Sequence, residues 1–181
     1  MELIDIVDEN DKLTGKVEER WSAVEKKLWC RIVFCWLMNE KGEILLQKRT
    51  PTKKKNPNKW GKTGGQVSAG ETVEEAICRE VKEEIGLEIP KKQIEHAEFI
   101  KHKIEKSKCF MYSYIFTVDK KIEEYTLQKE EVAQVKYFTI EEIEQARKEN
   151  DPNFIFSKTA QNIFNKEISM LKHKRSEILG K

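Results

Sequence analysis

Long apolar runs and an excess of charge of one sign are both missing from this chain of 181 residues. No apolar run approaches the roughly 18 residues that a membrane span needs. The chain starts Met1-Glu2-Leu3-Ile4-Asp5, which is acidic where a secretory signal would be basic and then apolar. The 34 Lys and Arg nearly balance the 32 Asp and Glu, so the basic excess of a nonspecific nucleic-acid binder is absent. We therefore expect a cytoplasmic protein that binds neither membranes nor nucleic-acid polymers.

Cysteine is also scarce, and its spacing excludes two kinds of site. Cys30, Cys35, Cys78 and Cys109 form no CxxC pair, and none has a histidine at metal-ligand spacing. Free cysteine is among the most frequently buried residue types. We expect all four to be reduced and buried.

Length and composition predict one globular domain over residues 1–181. The mass of 21.4 kDa suits a single core that needs no disulfide or zinc. Hydrophobic residues make up 38% of the chain and include 8 Phe, 4 Trp and 4 Tyr. The charged fraction of 36% exceeds the average of about 25% and predicts a highly charged surface.

Hydrophobic periodicity and turn residues predict a mixed α/β order. Residues 1–20 should form a short edge hairpin, and Ser22 with Glu25 is a candidate capping box for one helical turn. The central helix should run from about Thr72 to Ile85 and end at Gly86. A C-terminal helix at about 157–173 should pack back on the domain. Further strands are expected at 28–38, 43–49, 60–67, 97–104, 109–118 and 132–138, and a further helix at 139–148.

Three glutamates crowd one side of the predicted central helix. At 100° per residue, Glu80, Glu83 and Glu84 fall within an arc of about 100° beside the apolar stripe, so we expect them to be half-buried together. Like charges at this spacing cost about 0.2–0.5 kcal/mol per pair in water and more when buried. Convergence on Mg²⁺ or Mn²⁺ would remove that cost. The alternative is a solvated acidic face paired with neighbours such as Lys82.

The surrounding residues match a known motif. From Gly65 the sequence has five residues before Glu71, seven more before Arg79-Glu80, then Val81, one residue, Glu83-Glu84, one residue, and Gly86-Leu87. Residues 65–87 thus resemble the box of the Nudix hydrolase family (MutT-like) at every defined position. The resemblance implies an α/β/α sandwich with a mixed β-sheet and a catalytic loop-helix. It also implies metal-dependent hydrolysis of a diphosphate linkage by attack of water on phosphorus.

The resemblance also implies roles for individual residues. Glu80, Glu83 and Glu84 would bind Mg²⁺ or Mn²⁺, and Arg79 would orient a glutamate, with Glu83 as the expected partner. Glu71 would brace the loop or reach a metal through water. The alternative for Glu71 is a favourable charge at the helix N-terminus.

Candidates outside the glutamate cluster are less specific. Gly65 would give the catalytic loop its backbone freedom, and Lys48 and Arg49, with the lysines at 53–55, would hold substrate phosphates. Trp60 would stack on a base, and Glu131 would be an extra metal ligand or the general base. The alternatives are solvated lysines, a core tryptophan and a solvated loop glutamate.

Residues 29–31, 47–49, Pro57 and Trp60 are also similar to the Nudix subgroup allied to isopentenyl diphosphate isomerase. That chemistry needs a Cys-Gly-His stretch, and the matching residues here are Gly64-Gly65-Gln66. We therefore expect hydrolysis of a small-molecule substrate, a nucleoside diphosphate linked to another moiety. An isomerase-like enzyme and a non-catalytic nucleotide-binding module remain alternatives. The hairpin and the C-terminal helix are candidate surfaces for a homodimer.

Overall fold

A computed structural model describes residues 2–156 and 161–180, which form two β-sheets and five α-helices. Among these residues, no helix combines the length and hydropathy required to cross a bilayer. A 3₁₀ turn spans Ile122–Glu124. In chain order the elements are β1 (Leu3–Val7), β2 (Leu13–Glu19), α1 (Arg20–Glu25), β3 (Cys30–Met38), β4 (Ile44–Arg49), β5 (Trp60–Gly61), β6 (Thr63–Gln66), α2 (Val73–Ile85), α3 (Lys91–Glu95), β7 (Glu98–Ile104), β8 (Cys109–Thr117), β9 (Val132–Phe138), α4 (Ile140–Glu149) and α5 (Gln161–Leu179).

The main sheet has seven strands and is built around β3. One edge of β3 pairs in parallel with β8, from Cys30 opposite Cys109 to Met38 opposite Thr117. Its other edge is shared, because β6 pairs antiparallel with its first half and β4 with its last two residues. β7 lies outside β8, while β5 and β9 both pair with β4. The predicted mixed sheet is confirmed.

Helices cover both faces of this sheet. Alternation along β3 directs Val33, Cys35 and Leu37 into one core with α2 and directs Trp36 and Met38 into a second core with α4 and α5. The predicted α/β/α sandwich is therefore confirmed. Burial of the cysteines is confirmed for three of them, whereas Cys78 on α2 is partly exposed. The buried three are Cys30, Cys35 and Cys109.

The N-terminal hairpin does not extend the main sheet. β1 and β2 form a sheet of their own, which is attached through a bridge between Val7 and Trp29 and through the Ala69 N–H, which donates to the Leu3 carbonyl at 2.9 Å. The predicted capping box of Ser22 with Glu25 is wrong, because the Glu19 carboxylate caps α1 from one turn earlier.

A buried carboxylate joins the hairpin to the main sheet. Asp11, in the turn between β1 and β2, is 7% exposed and has a left-handed backbone with a φ of 66°. It accepts hydrogen bonds from Arg31 Nε at 2.6 Å and from the Tyr112 hydroxyl, and it pairs with Lys101. Burial raises the pKa of Asp11, but these three donors outweigh burial and lower it overall. The turn of the hairpin is thereby fixed to β3, β7 and β8.

The C-terminal helix extends beyond its predicted end. Residues 157–160, where the prediction begins, lie outside the described residues, and α5 continues to Leu179 rather than stopping near 173. Two ion pairs hold its final turns. Lys174 pairs with Glu98 on β7 at 3.0 Å, and Arg175 pairs with Glu141 on α4 at 2.8 Å. Such tertiary contacts are not visible in helical periodicity. The short helix α3 was not predicted at all.

Candidate active site

Local capping fixes both ends of α2. The Thr72 hydroxyl accepts from the Glu75 N–H at 3.2 Å, and the Glu75 carboxylate accepts from the Thr72 N–H at 2.9 Å. Gly86 ends the helix with a left-handed φ of 67°. The predicted capping box and glycine stop are both confirmed. The glutamates at 80, 83 and 84 therefore occupy the last two turns of a well-defined helix.

The expectation that the three glutamates are half-buried together is wrong. The side chain of Glu80 is 14% exposed and that of Glu83 is 54% exposed, whereas Glu84 as a whole residue is only 5% exposed. On a helical wheel Glu84 falls inside the apolar stripe, whereas Glu83 is rotated about 100° from it toward solvent. The helix thus presents one buried, one partly buried and one exposed carboxylate.

Glu84 is a buried carboxylate with neutral hydrogen-bond partners. Its Oε2 accepts from Gln47 Nε2 at 2.8 Å and from the Gly64 N–H at 3.1 Å. Among the described residues no cation pairs with it. Burial, together with the charge of Glu80 one turn earlier, raises the pKa of Glu84 to about 7. Gln47 has no predicted role, although strand alternation from buried Leu45 directs it to the same face.

Arg79 donates hydrogen bonds to three glutamates, and its main partner is Glu71 rather than the predicted Glu83. Its Nε and Nη2 donate to the two oxygens of Glu71 at 2.9 and 3.0 Å, and Nη1 donates to Glu80 at 2.9 Å. The contact to Glu83, the expected partner, is the longest at 3.3 Å. Glu83 lies toward solvent, whereas the loop brings Glu71 directly across the guanidinium. Glu71 also accepts from the Ser68 N–H at 3.1 Å, so it braces this loop.

The glycines of β6 allow it to approach α2 and β3 closely. A Cβ on Gly65 would lie 2.5 Å from Glu80 Oε1, and a Cβ on Gly64 would overlap the Val33 carbonyl oxygen. The side chain of Gln66 is turned away from the glutamates and donates to the Arg31 carbonyl at 2.9 Å. Gly65 therefore lies against the acidic face of α2, where its lack of a side chain is needed.

Strand alternation separates Lys48 from Arg49. Arg49 shares the face of Gln47, and its Nε donates to the Lys55 carbonyl at 3.1 Å. Lys48 points to the opposite face, where its ammonium lies 5.8 Å from the centre of the Trp60 ring. Trp60 packs edge-on against Phe138 at 5.1 Å in the second core. The structure therefore places Lys48 and Trp60 at the second core, away from the glutamates, and bonds Arg49 to the loop between β4 and β5.

Glu131 lies at the start of β9 beside the acidic helix face. Its carboxylate pairs with Lys53, from the loop between β4 and β5, and its negative charge contributes to the raised pKa of Glu84. The Thr50 N–H donates to its carbonyl at 3.1 Å, which ties this loop to the strand. One residue of the predicted lysine run thus meets the predicted general base.

The oxygen atoms on this side of α2 are chemically suited to a hard divalent cation, although the side chains are not already arranged around a metal position. The described part of the chain contains no group of three His, Cys, Asp or Glu side chains arranged as a metal site. Arg79, rather than a metal ion, is bound to oxygens of Glu80 and Glu83. Glu84 and Glu80 offer carboxylate oxygens, and Gln47 Oε1 is buried without a hydrogen-bond partner among the described residues. Such oxygen ligands suit Mg²⁺ and Mn²⁺.

A mixed-sheet α/β/α sandwich with a glycine-containing loop and an acidic helix defines the class of this protein. Residues 29–157 match the model of the NUDIX domain, and the chain belongs to the Nudix family. It is 36% identical over 148 residues to a Nudix hydrolase of Listeria monocytogenes, covering 81% of this chain and 85% of the relative. It is 31% identical over 150 residues to a Nudix hydrolase of Clostridium acetobutylicum, covering 78% of this chain and 72% of the relative.

Solved structures support the fold assignment. A protein of Deinococcus radiodurans superposes with a TM-score of 0.64 at 25% identity, over 83% of this chain and 90% of that one. A MutT protein of Methanosarcina mazei gives a TM-score of 0.56 at 20% identity, over 81% of this chain and 94% of that one, and shows the fold alone. Members of this family in general hydrolyse pyrophosphate linkages and use divalent metal ions.

Proposed function

We propose that this protein hydrolyses the diphosphate linkage of a nucleoside diphosphate attached to a second moiety, using Mg²⁺ or Mn²⁺. The observation that carries the proposal is the environment of Glu84. A buried carboxylate beside Glu80, with only neutral donors, is electrostatically unfavourable unless a cation joins it. A folding role alone does not account for a buried carboxylate without a cation one turn from a second carboxylate.

Each residue of the site has a role in this proposal. Glu80, Glu83 and Glu84 would hold the metal, which when bound neutralises phosphate oxygens and lowers the pKa of a water ligand. Glu131 would accept the proton of the attacking water. Arg79 and Glu71 would keep the loop against α2, so that the three glutamates face the substrate.

Isomerisation is the second candidate, because the chain is 38% identical over 86 residues to an isopentenyl-diphosphate Delta-isomerase of Salmonella heidelberg. That similarity covers 46% of this chain and 47% of the relative. Two positions argue against the same chemistry here. Gly64 has no side chain, and the Gln66 amide does not titrate near pH 7 and is bonded to backbone. Carbon acid–base chemistry lacks its groups at these positions.

The proposal extends to partners and compartment. A small-molecule diphosphate in the cytoplasm is the proposed substrate, and β2 is the proposed surface for a homodimer. Leu13 and Val17 on this strand are 61% and 51% exposed, and its outer edge has no strand partner among the described residues. Light scattering of the purified protein tests the dimer.

A product screen tests the proposed reaction. Nucleoside triphosphates, sugar nucleotides, dinucleotides and prenyl diphosphates are incubated with Mg²⁺, with Mn²⁺ and with EDTA, and every phosphate product is identified. We expect cleavage of at least one nucleotide with either metal and none in EDTA. Isomerised isopentenyl diphosphate without phosphate release would support the second candidate. Nucleotide binding without turnover would indicate a non-catalytic module.

A further inference from the structure

An exposed tryptophan lies on the short helix α1, outside the hydrophobic cores. Trp21 is 47% exposed. The other three tryptophans pack in or against the two cores of the main sheet, and they are Trp29, Trp36 and Trp60. A single exposed apolar residue needs no explanation by itself. Trp21 is not isolated, however, because the Arg20 guanidinium lies 5.1 Å and the Lys55 ammonium 4.9 Å from the centre of its ring.

The first strand ties α1 to the loop that precedes α2. The Arg20 guanidinium donates to the Glu2 carboxylate at 2.7 Å, and the Arg20 N–H donates to the Glu2 carbonyl at 3.0 Å. The carbonyl of Leu3, the next residue, accepts from a backbone N–H of the loop before α2 at 2.9 Å. Burial raises the pKa of Glu80, and the negative charge of Glu2 adds to that rise. Trp21 therefore borders the acidic face of α2 from the Glu80 side.

The loop between β4 and β5 borders the same face from the Glu84 side. Its Lys53 pairs with Glu131, whose negative charge contributes to the raised pKa of Glu84. Its Lys55 contacts the Trp21 ring only two residues later. Two residues of extended chain span about 7 Å. The contact between Lys55 and Trp21 thus joins α1 to this loop at the edge of the acidic face.

Lys55 can leave the ring at little cost. It is exposed, and among the described residues no carboxylate forms an ion pair with it. A contact between an exposed cation and an aromatic face is weak. A flat ring that takes the place of the ammonium would cover the same tryptophan and leave Lys55 available for phosphate oxygens. The arrangement therefore suits a ligand that carries both a flat ring and a phosphate.

We propose that Trp21 stacks on the base of the nucleotide substrate, and that Arg20 and Lys55 bind the phosphate attached to its sugar. The role predicted for Trp60 in the sequence then belongs to Trp21. Every base has an aromatic face, so stacking selects for the presence of a ring rather than for one particular base. This inference rests on the proposed function for the identity of the substrate.

Ligands that cannot be hydrolysed test the contact independently of turnover. The common nucleoside 5′-monophosphates contain no diphosphate linkage, so calorimetry and tryptophan fluorescence can follow their binding to the full chain with Mg²⁺ present. We expect at least one of them to saturate the protein and quench its fluorescence. Ribose 5-phosphate, which lacks the base, should bind at least about tenfold more weakly and cause no quench. A negative product screen would refute the proposed hydrolysis and leave this binding result unchanged.

Substitutions at Trp21 connect the binding to its ring. Trp21→Phe keeps a flat ring, so the affinity should stay within about twofold of the parent while the quench disappears. Trp21→Ala should stay folded and bind the nucleotide about tenfold more weakly. Val24→Ala is the matched control, because Val24 is 52% exposed on the same helix, and its binding should equal that of the parent.

Lys55→Gln tests the phosphate contact, and it should weaken the nucleotide and ribose 5-phosphate severalfold by the same factor. Tryptophan fluorescence separates stacking from a purely structural role, since a ring that only anchors the loop would not respond to the ligand. Failure of every nucleotide to bind, equal binding of ribose 5-phosphate, a quench that persists in Trp21→Phe, or parent affinity in Trp21→Ala or Lys55→Gln would each overturn the assignment.

Discussion

Arg79 holds the carboxylate of Glu71 in a two-point contact, with Nε and Nη2 donating to its two oxygens at 2.9 and 3.0 Å. The same guanidinium donates to Glu80 and to the Gln66 carbonyl. The hydrogen bonds that Arg79 donates to Glu71 and Glu80 raise its pKa, so it stays charged. One side chain thus fastens the loop to the acidic face of α2.

Arg79→Lys tests this arrangement. A lysine keeps the charge but cannot make the two-point contact. We expect the free energy of unfolding to fall by about 1–2 kcal/mol, and metal-dependent turnover to fall at least tenfold because the loop is no longer fixed. Arg175→Lys is the control, since Arg175 on α5 binds both oxygens of Glu141 on α4. Equal losses of turnover in the two variants would contradict the role of Arg79.

The raised pKa of Glu84 predicts that the stability of the metal-free protein depends on pH in an unusual direction. Its folded pKa of about 7 is raised above its ordinary value of 4.5. An acid with a raised pKa stabilises the fold in its protonated form, so stability is fully present below about pH 4.5 and declines as pH rises to about 7. The loss is of the order of 3 kcal/mol.

Glu84→Gln should remove this decline, because the glutamine carbonyl accepts the bonds from Gln47 and Gly64 without a charge. Denaturant unfolding in EDTA at pH 5 and pH 8 measures the effect. We expect the variant to be more stable than the parent at pH 8 and inactive with Mg²⁺. Glu40→Gln, in an exposed turn, is the control and should follow the parent at both pH values. A parent protein with equal stability at both pH values would refute the prediction.

Gly65→Ala tests the close approach of β6 to the acidic face. The new Cβ would lie 2.5 Å from Glu80 Oε1, so the carboxylate must move. We expect the fold to survive and turnover to fall at least tenfold, with a higher metal concentration needed for half-maximal rate. Gly70→Ala, which meets no atom within 4 Å, should cost only about 1 kcal/mol of backbone strain at its φ of 79°. If both variants needed the same metal concentration for half-maximal rate, the absence of a side chain at Gly65 would not be required for metal binding.

Local signals in the sequence predicted α2 and the strand order well. Thr72, Glu75 and Gly86 act within a few residues of one another, so the helix bounds follow from capping chemistry alone. Strand alternation also places Lys48 and Arg49 on opposite faces of β4, although the two were predicted to hold substrate phosphates together. These features depend on neighbours in the sequence.

Contacts between distant residues escaped prediction. The parallel pairing of β3 with β8 and the pairing of Lys62 with Glu167 join segments far apart in the chain. No local pattern marks these contacts of Lys62, because its partners lie on three other elements, β3, β8 and α5. Glu71 is the intermediate case, since its position in the box was recognised but its bond to Arg79 depends on the path of the loop.

Hydrolysis in ¹⁸O-labelled water tests the central claim most directly, using the nucleotide that responds in the product screen. With Mg²⁺, we expect one labelled oxygen in a phosphate-bearing product. Neither label uptake nor product should appear in EDTA, and Glu83→Gln should lower the rate by orders of magnitude while staying folded. Undiminished hydrolysis in EDTA, or near-normal rates in a folded Glu83→Gln protein, would contradict metal-dependent attack of water at this site.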